Sequence, residues 1–120
     1  MSCLFNSLSH FIVDLDEHNL RNIICDYLQT NPVVFDNIDA DKMINWRDDI
    51  NLTQYISEMR NTNTWGSSLE IKSFCNIFNI IVIVHHLNRQ IEFIPNNTPK
   101  FAIHIKYNGN HFEPIKSEIL

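Results

Sequence analysis

Two residues near opposite ends of the chain, Cys3 and His111, have the types and settings that acyl-transfer chemistry would use. Cys3 stands just ahead of Leu4, Leu8, Phe11 and Ile12, whose spacing puts them on one side of a helix. A cysteine opening a helix meets unsatisfied N–H groups and the positive end of the helix dipole, which favour the thiolate. The thiolate is the form that attacks a carbonyl carbon. His111 follows an Asn108-Gly109 hairpin signal, and Glu113 lies two residues further on. Residues i and i+2 of a strand face the same side, so a carboxylate at 113 can fix the imidazole tautomer and stabilise the imidazolium. Nucleophile, base and orienter make the set that thiol-dependent acyl transfer needs. His-x-Glu in a strand is common by chance, so spacing alone favours a surface or capping histidine at 111; on that reading the three never meet and the chain is an interaction scaffold.

The other reactive side chains point to structure rather than chemistry. Cys25 lies beside one apolar helical stripe and Cys75 lies within another, so both read as buried, inert thiols. His85 and His86 are neighbours at a strand end and face opposite sides. His10, His18 and His104 lack a ligand spacing. No metal and no cofactor is expected. Only two glycines, Gly66 and Gly109, occur, which excludes a P-loop and a glycine-rich dinucleotide turn.

Positioning these residues falls to helices in the first two thirds of the chain and strands in the last third. After the opening helical run, Asp14 or Asp16 caps a helix whose stripe is Leu20, Ile23, Ile24, Tyr27 and Leu28, ended by Asn31-Pro32. From Phe35 to Asp49 the chain is acidic, through Asp36, Asp39, Asp41, Asp48 and Asp49 around Ile38, Met43, Ile44 and Trp46. A short helix from about Asp39 followed by a loop is expected there, with the acidic residues forming a solvated face or, alternatively, a surface for a basic partner. Asn51 caps the next helix, carrying Leu52, Tyr55, Ile56 and Met59. Ser67 with Glu70 forms a capping box for a helix with Leu69, Ile71, Phe74, Cys75 and Phe78. Ile80 to Val84 then reads as a strand buried on both faces. Leu87 to Gln90 turn the chain into a second strand near Ile91 to Ile94. Phe101, Ile103 and Ile105 mark a half-buried strand, and Asn110 to Ile115 a last short one. The expected class is α+β: helices packed around a small, largely antiparallel sheet.

Length and composition bound the rest. At 120 residues, 44% hydrophobic and 19% charged, the chain suits a single domain over residues 1–120. A net charge of −5 without a Lys/Arg cluster argues against a nucleic-acid partner. The longest apolar run is too short to span a bilayer, and no secretory signal opens the chain, so no membrane role is expected. Three cysteines do not make a secreted disulfide framework; an intracellular setting, cytoplasmic or nuclear, is expected.

Three blocks of the sequence resemble the ovarian-tumour (OTU) family of cysteine proteases, in family order. Cys3-Leu4-Phe5-Asn6-Ser7-Leu8-Ser9 resembles its cysteine box. Tyr55 and Met59 followed by Trp65-Gly66 and Glu70-Ile71 resemble its central block. Asn110-His111-Phe112-Glu113-Pro114-Ile115 resembles its histidine box, with Phe112 in place of a tyrosine. The resemblance implies a papain-like arrangement of helices around a short sheet and a deubiquitinase. Its substrate would be ubiquitin or a ubiquitin-like protein, cleaved after the C-terminal glycine. It implies Cys3 as nucleophile, His111 as base and Glu113 as third member, with Trp65, Gly66 and Asn110 lining the substrate path. The family pattern also places Asp-Gly-x before the cysteine, where this sequence has Met1 and Ser2. The alternative implied is therefore a ubiquitin-binding module of weak or absent turnover.

Overall fold

The computed structural model describes residues 3–35, 38–44, 51–61 and 64–115. Its order is helical first: α1 (Cys3–Ser9), α2 (Glu17–Gln29), a ribbon of β1 (Val33–Phe35) and β2 (Ile38–Asp39), α3 (Ala40–Ile44), α4 (Leu52–Met59) and α5 (Ser68–Phe78). The main sheet follows as β3 (Ile80–His86), β4 (Arg89–Phe93), β5 (Phe101–Tyr107) and β6 (Phe112–Pro114), in spatial order β4-β3-β5-β6. β3 pairs antiparallel with β4 and parallel with β5, and β5 pairs antiparallel with β6. This is the α+β class expected, with a largely antiparallel sheet.

Local chemistry explains most boundaries. α1 stops at Ser9 and tightens into i→i−3 bonds, from Phe11 N–H to Leu8 O (3.3 Å) and from Ile12 N–H to Ser9 O (3.1 Å). Asp16, not Asp14, caps α2: its Oδ1 accepts from Asn19 N–H at 2.8 Å, while Asp14 sits at φ 61°. Asn51 and Gln54 form a reciprocal capping box on α4, at 2.9 and 3.1 Å. At the start of α5, Glu70 Oε1 accepts from both the Ser67 N–H and the Ser67 hydroxyl, each at 2.7 Å.

The structure departs from expectation in four places. The β1–β2 ribbon, three residues against two, occupies part of the acidic stretch and is too short for periodicity to reveal. Asp36, Trp46, Asp48 and Asp49 lie outside the described residues. β3 is not buried on both faces: Ile80, Val82 and Val84 enter the core, whereas Ile81 and Ile83 stay half-buried. β4 starts at Arg89, because Leu87 takes a left-handed φ of 56° and closes a two-residue turn. β6 is shorter than Asn110 to Ile115, so His111 belongs to the turn before the strand rather than to the strand.

Candidate active site

The cysteine-bearing helix is held from three sides. Leu4, Phe5 and Leu8 are fully buried, and α1 packs against α2 and β6. The Arg21 guanidinium on α2 lies 4.2 Å over the Phe5 ring and donates to the carbonyl oxygens of Met59 (2.7 Å) and Asn61 (3.0 Å). Burial lowers the Arg21 pKa, yet the cation is satisfied by carbonyls at the negative end of α4. At the third side, Trp65-Gly66 closes on the first turn of α1. A β-carbon at Gly66 would stand 2.6 Å from Leu4 Cδ2 and 3.2 Å from Phe5 Cε2, so a larger residue there would have to push these side chains aside. The Ser7 hydroxyl donates to Cys3 O at 2.8 Å, which ties the Cys3 backbone to the next turn. Cys3 itself is half-buried at the head of the helix.

His111 reaches the same region from the other end of the chain. β6, against which α1 packs, begins one residue after it, and His111 is exposed in the turn joining β5 to β6. The Asn110 and His111 N–H groups donate to Asn108 Oδ1, at 3.1 and 2.9 Å. Asn108 N–H donates back to His111 O at 3.1 Å. Gly109 supplies the φ of 106° that the turn requires. Glu113 stands opposite Lys106 in the β5–β6 register, and its Oε1 lies 3.8 Å from Lys106 Nζ. Among the described residues this is the ion pair that the Glu113 side chain makes, and no hydrogen bond joins it to His111. Asn110 is exposed beside His111.

Trp65 is 48% exposed and lines an open pocket of about 370 Å³ with Met43, Ile44, Tyr55, Met59 and Leu69. Behind it, Tyr55 Oη donates to Glu70 Oε2 at 2.7 Å. Glu70 is fully buried, and burial raises its pKa and that of Tyr55. That polar knot holds the end of the Trp65-Gly66 segment to α5.

The OTU-like cysteine protease family matches residues 2–115. The chain belongs to that family. It is 29% identical over 105 residues to the ubiquitin thioesterase otu2 of Schizosaccharomyces pombe, covering 83% of this chain and 34% of that protein. The chain thus spans about a third of this relative's length. Among solved structures it is similar to an OTU domain in complex with ubiquitin, with a TM-score of 0.71 at 24% identity, covering 94% of this chain and 62% of that one. It is also similar to an OTU deubiquitinase from Wolbachia pipientis wMel bound to ubiquitin, with a TM-score of 0.62 at 18% identity, covering 94% and 88%. At these identities the structural likenesses speak to the OTU fold.

In this OTU chain the Cys3 helix packs on one side against the Trp65-Gly66 segment and on another against β6, the strand that follows His111. Glu113 is turned toward Lys106. Cys25 and Cys75 are fully buried, as expected, and burial pushes their thiols up to about 11 and about 12. Sequence reasoning did not single out Asn108 beyond its hairpin signal. An Asn two and three residues before exposed N–H groups is an Asx-turn pattern, and that was the available clue.

Proposed function

We propose that this OTU domain is a cysteine-type deubiquitinase that cleaves the bond after the C-terminal glycine of ubiquitin or a ubiquitin-like modifier. The observation that carries this reading is the packing of α1, headed by Cys3, against β6, whose preceding turn presents an exposed His111. His111 takes the thiol proton as Cys3 Sγ attacks the glycine carbonyl carbon, forming a C–S bond and a tetrahedral oxyanion. The Cys3 backbone N–H is the candidate donor to that oxygen. As the intermediate collapses, the C–N bond breaks and His111 returns its proton to the leaving amine. Water, deprotonated by the same imidazole, then releases the acid and restores the thiol. Trp65 and Gly66 flank α1 and are the candidate walls for the substrate's extended tail, with Asn110 on the histidine side. To act as orienter, Glu113 must turn a carboxylate oxygen toward His111 in competition with Lys106. Both partners are more than half exposed, so that pair holds it weakly.

Ubiquitin bearing a C-terminal electrophile tests the proposal. The wild-type protein is expected to gain the mass of one probe, and Cys3→Ala none. His111→Ala is expected to slow adduct formation by about two to four orders of magnitude. A folded wild-type protein whose mass stays unchanged overturns catalytic competence; saturable ubiquitin binding in that sample would instead support the binding-module alternative.

A further inference from the structure

We propose that Asn108 is the positioning residue for His111, acting through the backbone of the turn rather than through the imidazole. The proposal rests on the reading in which His111 is the base. His111, Asn110, Gly109 and Asn108 are all exposed, so side-chain packing does not fix this turn and hydrogen bonds must. Asn108 supplies three of them: Oδ1 takes the Asn110 and His111 N–H groups, and its own N–H takes His111 O. A second carbonyl of the turn, Gly109 O, accepts from Tyr107 Oη at 2.7 Å.

Both flanks of the turn are anchored as well. The Tyr107 ring stacks on Phe112 at 4.5 Å, and the His86 ring lies 5.2 Å from Tyr107 with Nδ1–H donating to Tyr107 O at 2.8 Å. The strand ends are therefore tied down, and between them the Asn108 amide oxygen is the side-chain group that holds both the Asn110 and the His111 N–H. Glu113 lies beyond the turn and faces Lys106, so it does not set the backbone from which His111 projects. Displacing a base by about an ångström is enough to cost two orders of magnitude in rate.

Cleavage of ubiquitin carrying a C-terminal fluorogenic amide separates positioning from folding. Asn108→Ala is expected to lower kcat about ten- to a hundredfold, with KM within about twofold of wild type. Asn108→Asp keeps an oxygen acceptor at the same place and is expected to restore kcat to within about threefold. Unchanged kcat in Asn108→Ala, or equal losses in the two variants, overturns the proposal. If the wild-type protein is folded but inert, the deubiquitinase reading fails separately, and amide hydrogen exchange then decides the brace. The Asn110 and His111 amides should be protected in wild type and Asn108→Asp and unprotected in Asn108→Ala. Equal exchange in all three proteins overturns it.

Discussion

The absence of a side chain at Gly66 lets the Trp65-Gly66 segment rest on Leu4 and Phe5, one and two residues past Cys3. Leu4 and Phe5 are buried and have little room to yield. Gly66→Ala should therefore cost about 1–3 kcal/mol of stability through overpacking and should also slow probe capture at Cys3, because the strain falls on the helix carrying the thiol. A thermal melt and an adduct time course on the same sample check both; a wild-type melting temperature would show that the contact can relax. At this scale residue types were informative. Apolar stripes identified Cys25 and Cys75 as core thiols, and turn chemistry around Asn108-Gly109 located His111 beside a hairpin. What residue types could not disclose was the partner of Glu113, because Lys106 becomes its neighbour only through the β5–β6 register.

Among the elements, α5 links the helical part to β3 and β4 of the sheet. It ends at Asn79, which adopts a left-handed φ of 58° and donates its N–H to Cys75 O at 2.8 Å. The Asn79 carbonyl accepts from Lys100 N–H at 2.7 Å, which ties the start of β3 to the start of β5. Asn79 Oδ1 is buried and has no hydrogen-bond partner among the described residues. Asn79→Gly keeps both backbone bonds, removes the orphaned acceptor and suits the left-handed backbone. It should stabilise the protein by about 0.5–1 kcal/mol, a rise of a few degrees in Tm. A fall in Tm would contradict this account. Helices with capping boxes and β3 with its β-branched run were readable in advance, since their signals are local. The β1–β2 ribbon was not, because its two residue pairs carry no usable period and β1 draws its stability from packing against α5.

Across the whole molecule, burial sets a pH limit on stability. Folding raises Cys25 from 9.0 to about 11 and Cys75 from 9.0 to about 12, chiefly by desolvation. Above pH 9 the unfolded chain releases these protons while the folded chain keeps them, so rising pH favours unfolding. Their contribution is fully present below pH 9 and is lost as pH climbs through the folded values. Urea midpoints should fall between about pH 8 and pH 10.5, and a Cys25→Ala/Cys75→Ala protein should show a shallower fall. Equal slopes in the two proteins would remove the thiols from the explanation. The same burial defines what each level of description could know. Residue order alone determined the α+β class, the helix caps, the core stripes and the OTU blocks around Cys3, Trp65-Gly66 and His111, because these depend on contacts within a few residues or on motifs. Only the tertiary structure decided that α1 lies on β6, that Glu113 faces Lys106, and that His85 Nε2 meets His104 Nδ1 at 2.8 Å across the parallel β3–β5 pair. Those neighbours are set by strand order and register, which arise when the whole apolar surface is buried at once rather than from any local run of the chain.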